Sequence, residues 1–352
     1  MAVQKIGISD FVQDSDYQII IDVRSPLEFE HAHIPGAFSL PLFDNEQRAI
    51  VGTTYKKQSR ENAIKIALPM FGDKMVNMVK TVEKWVEEFS NANDNQKPNI
   101  IVHCWRGGMR SAAVAWLLDL YGFKVLQLIG GYKAYRNWII SQFEIPLNLK
   151  VIGGYTGSGK TEILQSLASK QENIIDLEGL AKHKGSSFGA LGQAKQPSQE
   201  MFENELGLAI SKIADKTKTI WIEDESQRIG TVMVPNLFFK LLRSSPCYFL
   251  DIPFEARLHF IVKQYGVFSK EDLVDATLRI QKRLGGLETK NTIQFLENGL
   301  IKEAFEMLLK YYDRWYTKFS KPSAEPTLQL IHLKATDVNE TENANLLLAL
   351  DK

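Results

Sequence analysis

The run Leu149-Lys150-Val151-Ile152-Gly153-Gly154-Tyr155-Thr156-Gly157-Ser158-Gly159-Lys160-Thr161 limits the fold more than any other stretch of this chain. Its first residues read as an apolar strand, and the residues after Thr161 read as a helix. Residues 154–161 fit G-x-x-x-x-G-K-[ST], a loop that turns backbone N–H groups toward phosphate oxygens at a helix N-terminus. Gly154, Thr156, Gly157, Ser158 and Gly159 supply that cradle. Lys160 reaches the outer phosphates, and Thr161 is placed to contact Mg²⁺. A strand, loop and helix in this order require a parallel sheet, and runs 219–226, 248–251 and 328–333 offer further strands for it. Glu223 and Asp224, at the end of one such run, are the acidic candidates for holding the metal through water, with Asp224 taken as the second Mg²⁺ contact.

A second loop has the same local logic. Asn99-Ile100-Ile101-Val102 reads as a buried strand and Ala112-Ala113-Val114-Ala115-Trp116-Leu117-Leu118 as a helix. Between them lies His103-Cys104-Trp105-Arg106-Gly107-Gly108-Met109-Arg110-Ser111. The glycines let successive N–H groups converge, and the helix dipole adds positive potential at the same point. Arg110 is the guanidinium expected to close the loop. Such a loop favours a thiolate and holds an anion against the sulfur, so Cys104 and Arg110 are the catalytic candidates. Asp22 and Arg24, at the end of the apolar run 19–23, are a candidate ion pair bracing it.

With 352 residues the chain is too long for one ordinary core. The expected division is 1–145 and 146–352, joined through Glu144-Ile145-Pro146-Leu147-Asn148. Lys plus Arg and Asp plus Glu number 42 each, so a nucleic-acid partner would need a local basic patch. Cys104 and Cys247 are the only cysteines, which rules out a disulfide scaffold. No apolar stretch is long enough to span a bilayer, and the first residues lack a signal-like core. The expectation is a cytoplasmic protein with no membrane partner.

Residues 47–57 read as a polar, basic connection, followed by helical patterns through Val86. Residues 176–189 mix acidic, basic and hydroxyl groups and read as a loop at the phosphate edge of the sheet. From Phe254 onward the pattern is mostly helical. There Arg279, Lys282 and Arg283, with Lys263 and Lys290, form a basic series suited to RNA phosphates. Tyr311, Tyr312, Trp315, Tyr316 and Phe319 form a stripe that reads either as core or as a base-stacking face.

Asp22-Val23-Arg24-Ser25-Pro26, then His33-Ile34-Pro35-Gly36-Ala37, then the Cys104 loop resemble a rhodanese domain over roughly the first third of the chain. That resemblance implies that Cys104 handles sulfur or selenium. The C-x5-R length differs from many single-domain rhodaneses and resembles the loop of Cys-dependent phosphatases. Adding the P-loop domain, Asp176-Leu177-Glu178-Gly179-Leu180-Ala181, Gly185-Ser186-Ser187-Phe188-Gly189, Glu223-Asp224-Glu225-Ser226, and Arg48, Gly52 and Tyr55, the chain resembles the tRNA 2-selenouridine synthase family. The fold implied is α/β throughout. It comprises a rhodanese-like domain with a parallel sheet and a P-loop NTPase-like α/β domain with a helical C-terminal part. The activity implied is a selenotransferase converting wobble 2-thiouridine of tRNA to 2-selenouridine. Its co-substrates are selenophosphate and geranyl diphosphate, used through an S-geranyl intermediate. Selenophosphate synthetase is the partner this implies, with no oligomeric state specified. The residues by themselves leave three other readings open: a nucleotide-dependent small-molecule kinase with a rhodanese-like sensor, a module that binds modified tRNA, and a Cys-dependent phosphatase.

Overall fold

The computed structural model describes residues 3–13, 18–319 and 329–350, the side chains of Gln18 and of residues 317–319 excepted. The chain divides into two compact units, Met1–Ser141 and Gln142–Lys352. The break falls at the end of a helix, a few residues before the expected junction at 145/146.

The first unit begins with β1 (Gln4–Ile6), α1 (Ile8–Gln13) and β2 (Gln18–Asp22). α2 (Pro26–His31) follows, then β3 (Phe38–Ser39), α3 (Asn45–Lys57), α4 (Arg60–Gly72) and α5 (Met75–Ala92). β4 (Asn99–His103), α6 (Met109–Tyr121), β5 (Val125–Leu128) and α7 (Gly131–Gln142) complete it. The strands lie in the order β1-β5-β4-β2-β3, all parallel. Parallel strands need both faces covered, which is why β2 and β4 are near-continuous apolar runs. Ile19, Ile21, Ile100 and Val102 are buried against Val114 and Leu118 of α6. Residues 47–57 are helical rather than a connection. Asp44 accepts the Gln47 N–H at 2.8 Å while Gln47 Oε1 accepts the Asp44 N–H at 3.2 Å, a reciprocal cap that starts α3. Gly52 and the paired threonines lower helix propensity enough to hide it in a pattern reading.

The second unit begins with β6 (Leu149–Gly154), α8 (Lys160–Ser169), β7 (Asn173–Ile175), α9 (Leu177–Ala181), α10 (Gln199–Lys212) and β8 (Ile220–Glu223). A short antiparallel hairpin, β9 (Arg228–Ile229) and β10 (Val232–Met233), leads to α11 (Asn236–Ser244) and β11 (Cys247–Asp251). The helical part is α12 (Phe254–Tyr265), α13 (Lys270–Arg279), α14 (Gln281–Leu284), α15 (Gly286–Glu297) and α16 (Ile301–Phe319), before β12 (Leu330–Lys334) and α17 (Glu340–Ala349). The main sheet is parallel in the order β12-β11-β6-β8-β7. β6 is therefore central, and its carboxyl end delivers the glycine loop to the edge where ligands of open α/β sheets bind. The helices after Phe254 have a core of their own, including Leu258, Ile261, Leu273, Leu296, Phe305 and Leu308. Among the described residues no helix is long and apolar enough to cross a membrane.

Candidate active sites

In the first unit the Cys104 loop bridges β4 and α6. Cys104 is 3% exposed. Its Sγ accepts the Gly108 N–H at 3.3 Å and lies 3.3 Å from Ser111 Oγ. Gln127 fixes the loop from β5, donating to the carbonyls of Gly107 (2.9 Å) and Gly108 (3.2 Å) and to Ser111 Oγ (2.9 Å). Behind the loop, the Tyr132 N–H reaches the Cys104 carbonyl at 2.9 Å. Gly131, at φ 56°, approaches so closely that a Cβ there would stand 2.2 Å from the Cys104 carbonyl oxygen.

Asp22 and Arg24 form a buried pair, Nη2 to Oδ2 at 2.6 Å, and Arg24 also donates to the Ala32 carbonyl at 2.7 Å. The Arg24 guanidinium lies 3.9 Å from the centre of the Tyr132 ring, so the pair braces the Cys104 loop through Tyr132. His103, fully buried beside them, is held below its usual pKa by burial, against the pull of Asp22 at 3.8 Å.

Arg110 does not close over Cys104 as the sequence suggests. Its guanidinium donates to both oxygens of Glu28, at 2.8 and 3.4 Å, and Arg48 stands 3.5 Å from the same carboxylate. Glu28 also accepts the Ser25 N–H at 3.1 Å at the start of α2. Burial works to raise the Glu28 pKa, but the Arg110 hydrogen bond and charge, with Ser25 and Arg48, bring it down to about 2. The polar groups that meet the sulfur are thus the Gly108 amide and the Ser111 hydroxyl, while Arg110 braces Glu28.

In the second unit Gly154, Thr156, Gly157, Ser158, Gly159, Lys160 and Thr161 line one cavity of about 730 Å³. Gly157, at φ 82°, lets the loop seat against α12, where a Cβ would meet Ile261 at 2.6 Å. Arg257 of α12 donates to the Thr156 carbonyl at 3.1 Å and is paired to Asp313 of α16 at 2.8 and 3.0 Å. It is 3% exposed and acts as an internal strut for the loop. Lys160 folds back toward the Gly154 carbonyl at 3.4 Å. Among the described residues Ser158 Oγ is buried with no hydrogen-bond partner, a donor that a ligand oxygen would satisfy.

The acidic side differs from expectation. Both oxygens of Asp224 are taken, Oδ1 by Arg243 at 2.7 Å and Oδ2 by the Tyr316 hydroxyl at 2.6 Å. Thr161 donates instead to Glu178 at 2.7 Å, and among the described residues no three His, Cys, Asp or Glu side chains are grouped to hold a metal. Thr161 and Asp224 thus each have protein partners in this arrangement. Glu223 is fully buried, its pKa raised by burial and then by Asp176, and it accepts the Glu178 N–H at 2.8 Å. Burial and the neighbouring Glu178 charge push the Glu225 pKa upward. Residues 176–189 are not all loop: Asp176 accepts the Gly179 N–H at 2.7 Å and starts α9.

The aromatic stripe divides between the helical core and the cavity. Tyr311 is buried in the helical core, whereas Tyr312, Trp315 and Tyr316 line the cavity with Phe305, Leu308 and Leu309. The side chain of Phe319 lies outside the described residues. The phosphate loop therefore opens onto an apolar, aromatic wall. Arg279, Lys282 and Arg283 are exposed, as are Lys263 and Lys290. Arg279 donates to the Ser187 carbonyl at 3.5 Å, and Lys282 and Lys290 line an open groove of about 1070 Å³ along α14 and α15.

Sequence reading missed Glu28, Gln127, Arg257, Asp313, Glu178 and Arg243. Only Glu28 carried a local signal, its place three residues after the cap Ser25.

The family model described as the tRNA 2-selenouridine synthase AAA domain matches residues 147–336, and that of the rhodanese-like domain matches 8–137. The tRNA 2-selenouridine synthase of Sulfurovum sp. is 33% identical over 337 residues, 88% of this chain and 89% of that one. Its namesake from Hydrogenovibrio crunogenus is 34% identical over 330 residues, 84% and 88% of the two chains. That from Nitrosomonas europaea is 37% identical over 270 residues, 74% and 67%. Among solved structures, the N-terminal domain of a putative ATP/GTP binding protein from Clostridium difficile 630 is 36% identical. It covers 39% of this chain and 99% of its own, with a TM-score of 0.34.

Proposed function

The chain belongs to the tRNA 2-selenouridine synthase family, and from that premise we propose that it converts wobble 2-thiouridine of tRNA to 2-selenouridine in two steps. The first is S-geranylation by geranyl diphosphate, the second exchange with selenium from selenophosphate. The observation that carries the two-step reading is that the phosphate loop and the aromatic wall bound one cavity. A prenyl diphosphate has just these two halves.

In the first step the thiouridine sulfur attacks C1 of the geranyl group and the C–O bond breaks. The diphosphate leaves, and the N3 proton is released. Charge developing on the diphosphate faces the loop amides, Lys160 and the unpartnered Ser158 hydroxyl. Alkylation turns a poor sulfur leaving group into a thiol. In the second step the selenium of selenophosphate, held against Cys104 and the Gly108 amide, attacks C2; geranyl thiolate departs and takes up a proton, and water cleaves the P–Se bond, releasing inorganic phosphate and leaving selenium on C2.

Purified protein given thiouridine tRNA and geranyl diphosphate is expected to form S-geranyl-2-thiouridine without any nucleotide, read by nucleoside mass spectrometry. A strict ATP requirement would replace this reading with the kinase alternative.

Arg279, Lys282 and Arg283 supply the local basic patch that a chain of zero net charge needs for tRNA. Replacing all three by Ala should weaken tRNA binding and make its log–log salt dependence shallower by about 2–3. Geranyl diphosphate affinity should not move. An unchanged salt slope would make these cations an ordinary solvated surface.

A further inference from the structure

We propose that Phe188, Tyr265 and Phe305 form the floor of the prenyl arm of this cavity and limit the donor to two isoprene units. The proposal rests on reading the cavity as a prenyl diphosphate site. α16 serves as a ruler along it. Phe305, Leu308, Leu309, Tyr312, Trp315 and Tyr316 all line the cavity, and their spacing places them on one helical face. Tyr316 marks the phosphate end: its ring is 5.3 Å from that of Tyr155 in the glycine loop, and its hydroxyl is on Asp224. Phe305 precedes it by eleven residues, about 16 Å along the axis. Between them α16 presents Leu308, Leu309, Tyr312 and Trp315 to the cavity, while Glu178 and Gln264 line it from other elements.

At the far end three rings close on one another. Phe305 is 5.6 Å from Phe188 and 5.8 Å from Tyr265, and Phe188 is 5.9 Å from Tyr265, centre to centre. Their exposures are 3% (Phe188), 8% (Tyr265) and 3% (Phe305), so all three rings are buried where they meet. Hydrogen bonds pin the surrounding chain. The Tyr312 and Ser187 hydroxyls are 2.7 Å apart, and the Tyr265 hydroxyl is bonded to Ser186. The loop bearing Phe188 is thereby tied both to α16 and to the end of α12. A wall held by close ring packing and flanking hydrogen bonds yields little to an oversized chain. A third isoprene unit would have to enter the volume these rings occupy.

The test compares donors of different length on thiouridine tRNA. Phe305→Leu and Phe188→Leu, made singly, are each expected to raise the ratio of kcat/KM for farnesyl over geranyl diphosphate at least tenfold. Leu308→Phe, which narrows the middle of the arm, should shift preference tenfold from geranyl toward dimethylallyl diphosphate. Each ratio is internal to one variant, so a partial loss of folded protein does not move it. Wild-type protein that geranylates, with ratios unshifted in all three variants, defeats the floor assignment alone. Wild-type protein that transfers none of the three prenyl groups defeats the reading on which it rests.

Discussion

Lys160→Ala is expected to lose S-geranylation of thiouridine tRNA by on the order of 10²–10³-fold, and overall selenation with it. Lys160 lies on the cavity wall at the start of α8, next to the loop amides, where the diphosphate accumulates charge as the C–O bond breaks. Its hydrogen bond to the Gly154 carbonyl is long, 3.4 Å, so the loop does not rely on it for shape. The variant should therefore stay folded, with a stability change under about 0.5 kcal/mol. Selenation should return when the variant receives tRNA already S-geranylated, because exchange with selenium needs no diphosphate. Nucleoside mass spectrometry on both tRNA substrates gives the answer. Normal geranylation by Lys160→Ala, or no rescue by the geranylated tRNA, would overturn the assignment.

Cys104→Ser should show the opposite pattern: geranylation retained and selenation reduced by at least about 10²-fold, the scale of losing the sulfur that holds the selenium donor. Serine is smaller than cysteine, and the Gly108 N–H and the Ser111 hydroxyl, each 3.3 Å from Sγ, can bond to its hydroxyl. The remaining cradle, held by Gln127, does not depend on sulfur. Accumulation of S-geranyl-2-thiouridine in reactions holding both donors is the expected signature. Selenouridine formed at the normal rate would leave Cys104 a structural residue. Together the two variants separate the steps, since each blocks one and spares the other.

The two loops were legible because their signals are local. Glycines at fixed offsets, a Lys-Thr pair and a Cys between an apolar run and a helix specify backbone turns within a few residues. Of what the loops rest on, only the Asp22–Arg24 pair was legible. Arg110 and Glu28 stand 82 positions apart, Arg257 and Asp313 56 apart, and neither pair has spacing that marks it. The stripe on α16 shows the limit of periodicity. Helical spacing identified a face bearing Tyr312, Trp315 and Tyr316, but a face does not say what it faces. Tertiary packing turned it toward the phosphate loop. Asp224 was read correctly as lying at a strand end, yet Arg243 and Tyr316 come from distant helices to occupy it.

Gly107 and Gly131 interlock beneath Cys104. A Cβ on Gly131 would stand 2.5 Å from the Gly107 nitrogen, and one on Gly107 would stand 2.4 Å from the Leu128 carbonyl oxygen and 3.1 Å from the Gly131 nitrogen. Both sit at positive φ, 63° and 56°. Neither glycine can drift to another residue while the other stays, and changing both removes the turn itself. Mutation therefore has little freedom on the inner side of this loop. Its outer side is open: Trp105, Arg106 and Met109 are exposed. Descendants of this chain that acquire new substrates at Cys104 would diverge at these three outward positions, with the turn beneath them inherited whole.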